Sequence, residues 1–170
     1  MNGPADAVVR EGRERDLEQL TVIYNHYVVN TPVSFDLEPY TVDRHREWFG
    51  HYNHTGAHRL LVAVDGSAVL GYTTSSPFHT RPAYASTVES SVYCESTAVG
   101  RGIGTLLYDH LFAALAGEHL HRVMAGIALP NDASCRLHQR FGFTEVGVEH
   151  EVGYKFDQYW DVLLLERPID

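Results

Sequence analysis

The sequence has few cysteines, no long apolar run and no excess of positive charge. Its 170 residues include two cysteines without a CxxC spacing, Cys94 and Cys135, and we expect both to be free thiols in a reducing compartment. No stretch approaches the roughly 20 apolar residues of a membrane-spanning helix. The first residues carry no basic segment followed by an apolar one, as a signal peptide would. We therefore expect a cytoplasmic protein without a membrane partner.

The net charge of −9 argues against nucleic-acid binding, which needs a basic face to neutralise phosphates. A few local amides and arginines can still hold a small anion. Three histidines, His51, His54 and His58, lie in a polar stretch. Their spacing and the missing fourth ligand predict surface residues rather than a zinc site. We therefore expect neither a nucleic-acid partner nor a metal.

The order of the predicted elements is that of an α/β protein. Neither a repeat nor a linker divides the chain, so residues 1–170 are predicted to form one domain. Periodicity and turn residues, including an Asp65-Gly66 turn and an N-cap at Thr41, delimit the elements. The predicted strands are 7–10, 60–64, 69–75, 87–94, 123–129, 144–154 and 159–166, and the predicted helices are 16–29, 41–52, 103–117 and 131–141. This alternation indicates helices packed on a mixed sheet.

A glycine-rich turn follows the predicted strand 87–94 and leads directly into a long amphipathic helix. Such a turn leaves free backbone N–H groups at the positive end of the helix dipole, where a phosphate binds well. Gly100, Gly102 and Gly104 lack a Cβ, so the backbone can approach a ligand closely. Arg101 can add charge at the rim. On the motif alone a flexible turn remains the alternative.

Two familiar nucleotide-binding motifs do not match this turn. A Rossmann fingerprint expects a third glycine and an acidic residue about 20 residues later. Leu106 and Leu107 occupy the place of that glycine, and the following strand ends in Leu129-Pro130. The lysine of a Walker motif is also missing, since Thr105 follows Gly104 directly.

Four stretches, taken together and in this order, form a recognisable pattern. They are TVESSVY at 87–93, the glycine turn at 100–108, LPN at 129–131, and Leu137-His138 with Gly142-Phe143. The chain from 23 to 162 resembles the GNAT acyltransferase superfamily, and within it the phosphinothricin and methionine sulfoximine N-acetyltransferase branch. The resemblance implies a single mixed, mostly antiparallel sheet flanked by helices, acetyl-CoA as co-substrate, a small-molecule amine substrate and a homodimer.

The resemblance also implies a set of residues that contact acetyl-CoA. Asn131 is expected to hydrogen-bond it, a role compatible with capping the next helix. The other expected contacts are Val92, Tyr93 and Cys94 beside the pantetheine arm, and Gly100, Arg101, Gly102, Ile103, Gly104 and Thr105 at the pyrophosphate. Val99 stands where the family has Gln or Arg, and Ser96 where proline is common. We therefore expect weaker binding of acetyl-CoA rather than its loss.

Glu89 is the candidate general base. It lies in a strand of apolar and small residues, where a buried carboxylate is costly unless it is used or paired. Burial would raise its pKa toward a useful value, and a bound water could carry the proton. An outward-facing strand residue is the alternative.

His138 occupies the position at which many GNAT enzymes have a tyrosine that acts as the general acid. An imidazole can serve there as acid or base, or be only structural. Tyr108 is a competing acid that could instead pack in the core. Backbone N–H groups of Tyr93 or Cys94 are expected to hold the carbonyl oxygen. A ping-pong role for Cys94 is disfavoured, because no base is paired with it and the family transfers directly.

The substrate side is predicted from two short matches to the branch. Arg81 and Tyr84 match its Arg-x-x-Tyr segment, and arginine suits oxyanion recognition, although a solvated loop cation is the alternative. Phe35 and Glu38 match its Phe-x-x-Glu, and Phe35 could form an apolar wall. Near the C-terminus, the family's glycine and tryptophan are replaced by Asp157 and Tyr159, which leaves acceptance of phosphinothricin itself open.

The predicted function is N-acetylation of a small amino-acid-like amine of the phosphinothricin, methionine sulfoximine or methionine sulfone type. A protein N-terminus or a polyamine is the alternative acceptor. A non-catalytic acyl-CoA-binding module is the alternative of another class.

Overall fold

The computed structural model describes residues 6–169, in which seven strands form one sheet. The strand order is β1-β2-β3-β4-β5-β7-β6. All neighbouring pairs are antiparallel except β4 and β5, which are parallel. The strands are β1 (Val8–Glu11), β2 (Arg59–Asp65), β3 (Ala68–Pro77), β4 (Thr87–Cys94), β5 (Arg122–Ala128), β6 (Thr144–Lys155) and β7 (Gln158–Pro168). The mixed, mostly antiparallel sheet expected from the resemblance is confirmed.

Helices cover both faces of the sheet. They are α1 (Leu17–Asn30), α2 (Val42–Phe49), α3 (Ile103–Leu115) and α4 (Asp132–Arg140). On one face, Leu20 and Ile23 of α1 pack against buried side chains of β2 and β3. On the other, Tyr108 and Leu111 of α3 pack against β4 and β5. We call these the α1 face and the α3 face.

The predicted helix starts agree closely with the structure. Thr41 caps α2, since its hydroxyl accepts a hydrogen bond of 3.2 Å from the Arg44 N–H. Asn131 caps α4 by accepting from the Ser134 N–H at 3.1 Å. The predicted end of the second helix was three residues too late, because α2 stops at Phe49 and Gly50 follows as its C-cap, in keeping with the poor helix propensity of glycine.

Both tight hairpins have residues with positive φ at their turns. Asp65 pairs with Ala68, so the first turn is centred on Gly66 (φ 58°) and Ser67, one residue later than predicted. Lys155 pairs with Gln158, and the intervening Phe156 and Asp157 have φ of 55° and 57°. Positive φ at both central residues is the pattern of a type I′ turn.

Within residues 6–169, no helix combines the length and the apolar character that crossing a membrane requires.

Candidate active site

A gap opens in the middle of the sheet between the two parallel strands. β4 and β5 pair from Thr87 opposite Arg122 only as far as Glu89 opposite Met124. β4 nevertheless runs on to Cys94 and stays paired with β3 on its other side. The half of β4 beyond Glu89, including Val92, therefore borders an opening rather than a neighbouring strand.

The glycine turn lies at the far end of this gap and leads into α3. Gly100 and Gly102 have φ of 78° and 80°, values that residues other than glycine rarely adopt. Gly102 is the N-cap of α3, and no side chain caps the helix there. Its first amides are therefore available to an anion. At Gly104 a Cβ would lie 3.1 Å from Leu137 Cδ2, so the missing side chain lets α4 approach α3.

A cavity of about 650 Å³ joins the glycine turn to α4. One wall is the turn and the start of α3, and the opposite wall is α4 with the segment 31–33. Most of the residues predicted to contact the cofactor line this cavity: Val92, Cys94, Gly100, Gly102, Ile103, Gly104, Thr105 and Asn131. Arg101 does not line it, and Tyr93 lines a smaller cavity of about 50 Å³ in the strand gap.

Tyr108 and His138 form a buried hydrogen-bonded pair on the α3 face of the gap. The Tyr108 hydroxyl lies 2.9 Å from Nε2 of His138 and 3.2 Å from Ser90 Oγ. Nδ1 of His138 lies 2.8 Å from the Ser134 carbonyl oxygen, so Nδ1 carries the proton and Nε2 accepts from Tyr108. Burial lowers the pKa of His138 and raises that of Tyr108 well above 10, so both groups are neutral at pH 7.

Glu89 lies on the opposite face of the sheet from that pair. Side chains alternate along a strand, so Ser90 points to α3 while Glu89 and Tyr93 point to the α1 face. Burial raises the pKa of the Glu89 carboxyl, and the electrostatic effect of nearby His79 partly opposes the rise. A Cβ at Gly126 of β5 would lie 3.9 Å from Glu89 Oε1. The carboxylate is thus at the point where β4 and β5 separate.

These positions make the gap a passage with a carboxyl group on one side and a phenol on the other. Ser90 to Tyr93 line it from β4, and residues 126–128 line it from β5, with Tyr108 and His138 at its floor. A reacting group inside the gap would meet Glu89 from the α1 face and Tyr108 from the α3 face.

Known proteins share the fold and most of the sequence pattern. Residues 9–164 match the family described as Acetyltransferase (GNAT) domain. This chain belongs to the GNAT acetyltransferase family. It is 54% identical to the phosphinothricin N-acetyltransferase of Streptomyces coelicolor, over 99% of this chain and 100% of the relative. It is 32% identical to the L-methionine sulfoximine/L-methionine sulfone acetyltransferase of Pseudomonas aeruginosa, over 96% of this chain and 95% of the relative.

A solved structure shows a GNAT relative together with the cofactor. The phosphinothricin acetyltransferase of Sinorhizobium meliloti, in complex with acetyl-CoA, has a TM-score of 0.87 and 29% identity, covering 96% of this chain and 89% of that one. The protein described here is an acetyl-CoA-dependent N-acetyltransferase.

The residues of this GNAT enzyme fit acetyl-CoA. The uncapped α3 terminus and the positive-φ glycines suit a pyrophosphate, and the 650 Å³ cavity is within the range of cofactor sites. Arg136 and Arg140, one turn apart on α4, line the same cavity and can pair with phosphates. Sequence reasoning missed both arginines, although their i, i+4 spacing on a predicted helix was the available signal.

Cys94 borders the cavity as a neutral thiol. Burial raises the pKa of Cys94 to about 11, and only a thiolate is a strong nucleophile. Its carbonyl oxygen accepts a 2.7 Å hydrogen bond from the Tyr27 hydroxyl, which fixes the end of β4 to α1. Both observations favour direct transfer over a cysteine-linked intermediate.

The four predicted substrate residues occupy two segments. Phe35 packs on Gly153 of β6, where a Cβ would overlap its ring. Tyr84 lies 4.7 Å from His79, measured between ring centroids, and His79 is the residue that acts electrostatically on Glu89. Arg81 and Glu38 are exposed, so their roles stay predictions.

An aromatic cavity of about 200 Å³ lies on the α1 face and was not anticipated from the sequence. Its lining consists of six aromatic rings, one imidazole and three hydroxyl side chains: Tyr24, Tyr40, Trp48, Tyr52, Tyr72, Tyr93, His45, Thr74, Ser76 and Ser91. Ser76 is the cross-strand partner of Glu89. Burial lowers the pKa of His45 to about 4, so the imidazole of this cavity is uncharged at pH 7.

Among residues 6–169 there is no group of three or more His, Cys, Asp or Glu side chains placed to hold a metal ion.

Proposed function

We propose that this enzyme acetylates the primary amine of small amino-acid-like molecules of the phosphinothricin, methionine sulfoximine and methionine sulfone type. The observation that carries the proposal is the 54% identity to a Streptomyces phosphinothricin N-acetyltransferase along the whole chain. The relative from Pseudomonas aeruginosa, named for methionine sulfoximine and methionine sulfone, supports the same substrate class.

Glu89 takes the proton of the acceptor amine, directly or through a bound water. An amine near pH 7 is mostly protonated, since α-amino groups have pKa values near 8. A base works best when its own pKa approaches the working pH, and burial moves the pKa of Glu89 in that direction.

Tyr108 serves the other side of the gap as a hydrogen-bond donor. Because its pKa is raised well above 10, it keeps its single proton, which turns from His138 to negative charge when such charge develops in the gap. Before such charge develops, His138 accepts this proton and so holds the phenol oxygen in place. When bound, acetyl-CoA supplies the activated acyl group. The half of β4 that has no β5 partner supplies the candidate donor for its carbonyl oxygen, the N–H of Tyr93 or of Cys94, since successive amides of a strand point to opposite edges and only one of the two can face the gap.

Acceptor binding is proposed for the α1 face, around Phe35, Glu38, Arg81 and Tyr84. Phe35 supplies an apolar wall and Arg81 a cation for an acidic group of the substrate. Glu38 is exposed and free to meet an ammonium group.

An acetyl-CoA consumption assay over an amine panel tests this function. We expect turnover with methionine sulfone, methionine sulfoximine or phosphinothricin, and at least about tenfold lower kcat/KM with a peptide amine or spermidine, a difference of about 1.4 kcal/mol. A higher kcat/KM for the peptide or the polyamine would show that the proposed substrate class is wrong. Tight CoA binding without turnover of any amine would mark a non-catalytic module.

We further propose that residues 1–170 form a single cytoplasmic domain that pairs as a homodimer. One continuous sheet and a family match over 9–164 support one domain, and the free thiols of Cys94 and Cys135 fit a reducing compartment. Exposed apolar side chains crowd one end of the β6–β7 hairpin, namely Val152, Tyr154, Phe156 and Tyr159, as protein interfaces often do. Light scattering on the purified enzyme would give the mass of the assembly.

A further inference from the structure

Lys155 is the only lysine in the chain, and it is buried. It lies at the end of β6, next to the β6–β7 turn, with 4% of its surface exposed. Lysine is among the residues least often buried without a partner, because its ammonium group is strongly hydrated. A contact that compensates this burial is therefore expected nearby.

That contact is made to the loop between α1 and α2. Nζ of Lys155 donates a 2.6 Å hydrogen bond to the Ser34 carbonyl oxygen. The Asp36 carboxylate acts on the same ammonium as a countercharge, raising the pKa of Lys155 that burial lowers more strongly. Asp36 also accepts a hydrogen bond from the Tyr24 hydroxyl and lies 3.8 Å from the Arg44 guanidinium. The ammonium thus ties β6 to a loop that α1 and α2 already hold.

The loop residues before this contact line the active-site cavities, and the residue after it is one of those proposed to bind the acceptor. Thr31, Pro32 and Val33 line the cavity assigned to acetyl-CoA, and Val33 also lines the gap between β4 and β5. Phe35, one residue after Ser34, packs on Gly153, two residues before Lys155. Residues 31–36 therefore run from the cofactor cavity to Phe35, and Lys155 contacts the segment between them, at Ser34.

We propose that Lys155 is a positioning residue for acetyl transfer, which fixes residues 31–36 so that Val33 closes the strand gap and Phe35 walls the acceptor side. The role of Phe35 rests on the proposed function. The link from Lys155 to the cofactor cavity does not, because it follows from contacts of the chain itself.

Chemical labelling of the single ε-amine tests the burial and the link in the wild-type enzyme. A succinimidyl acetate reagent is added to the native and the urea-unfolded protein, and the peptide containing Lys155 is quantified by mass spectrometry. We expect native labelling at least about tenfold slower than unfolded labelling, since protection reflects the free energy of local opening. Saturating CoA should slow it further. Labelling at the unfolded rate, or a rate that CoA leaves unchanged, would overturn the proposal.

Substitution tests the consequence for turnover. Lys155→Met keeps the length of the side chain and removes the donor, and we expect the acceptor KM to rise about tenfold, the effect of losing roughly one charged hydrogen bond. Lys155→Arg should recover part of the loss. Gln158→Met, at the exposed cross-strand partner, is the matched control and should behave as wild type.

The pH dependence separates positioning from chemistry. With Lys155→Met the acidic limb of kcat should keep its midpoint, because Glu89 still supplies the base. An unchanged acceptor KM, or a shifted midpoint, would contradict the positioning role. If the wild-type enzyme acetylated no amine of the panel, the proposed function would be wrong. The labelling result would still test the link between Lys155 and the cofactor cavity. If Lys155→Met does not fold, the arginine variant and the labelling carry the test.

Discussion

The Tyr108 hydroxyl donates to Nε2 of His138 at 2.9 Å, while the other ring nitrogen faces a backbone carbonyl. The imidazole is therefore held in one tautomer, with its acceptor nitrogen turned to the phenol. Two residues that the sequence presents as competing acids form one unit in the structure. Within this unit the phenol is the donor and the histidine the acceptor, so the single phenolic proton must turn away from Nε2 to reach a group in the gap.

A double-mutant cycle on this pair should be strongly non-additive. Tyr108→Phe removes the donor, and we expect kcat/KM to fall by about 10²-fold, the usual effect of losing a donor to developing charge. His138→Phe should cost a similar or smaller factor, because the phenol oxygen loses the hydrogen bond that holds it in place. The double variant should be no slower than the slower single variant. Losses that multiply would indicate that His138 transfers a proton independently of Tyr108.

Glu89→Gln should depress turnover without affecting the cofactor. We expect kcat/KM to fall by about 10²–10⁴-fold, the range for general-base catalysis, with the Kd of CoA unchanged by calorimetry. Glu145→Gln, at an exposed position of β6, is the charge-matched control. A rate within a few-fold of wild type would exclude Glu89 as the base.

The same substitution should stabilise the protein at neutral pH. The pKa of Glu89 is raised in the folded state, so the folded protein binds this proton more tightly than the unfolded chain. The stability contributed by the neutral carboxyl is then lost as pH rises through the folded-state pKa. We expect Glu89→Gln to have a higher Tm than wild type at pH 8 and a similar Tm below pH 4.5, the ordinary glutamate pKa. A lower Tm at pH 8 would show that the carboxylate is paired.

Arg136 and Arg140 should contribute to cofactor affinity in a salt-dependent way. Arg136→Gln and Arg140→Gln each remove one cation from the wall of the large cavity, and we expect the Kd of CoA to rise about five- to tenfold at low salt, roughly 1 kcal/mol. The effect should shrink toward 1 M salt, where the Debye length is about 3 Å. Arg15→Gln, at an exposed position outside the cavity, is the control. An effect independent of salt would indicate a packing role.

Much of this fold could be predicted from the sequence, because its signals are local. Strand boundaries followed from turn residues, and they differ from the observed ones by no more than two residues. The glycine turn was recognisable because the backbone has positive φ at positions 100 and 102, which favours glycine there. What could not be predicted depends on where β4 and β5 stop pairing. That point places Glu89 and His138 on opposite sides of one opening, and no local pattern encodes it. The contact of Lys155 with Ser34 joins residues 121 positions apart, so it too is invisible to periodicity.

Replacing Asp157 by glycine should stabilise the turn between β6 and β7. Asp157 has φ of 57°, in a region that costs an ordinary residue roughly 1 kcal/mol and costs glycine nothing. We expect Asp157→Gly to raise the free energy of unfolding by up to about 1 kcal/mol, measured by urea titration. Asp157→Ala should give no gain. A destabilised glycine variant would show that the aspartate side chain makes a compensating interaction.

Phe35 and Gly153 should behave as one packing unit at the acceptor wall. A Cβ at Gly153 would overlap the Phe35 ring, so Gly153→Ala must displace either the ring or the strand. We expect a loss of stability of about 1–3 kcal/mol, the range for overpacked sites, together with a higher acceptor KM. Phe35→Ala in the same chain should restore much of the stability, because the smaller side chain clears the added methyl, but should leave KM high because the wall is gone. Recovery of both quantities in the double variant would show that Phe35 restricts the site without binding the acceptor.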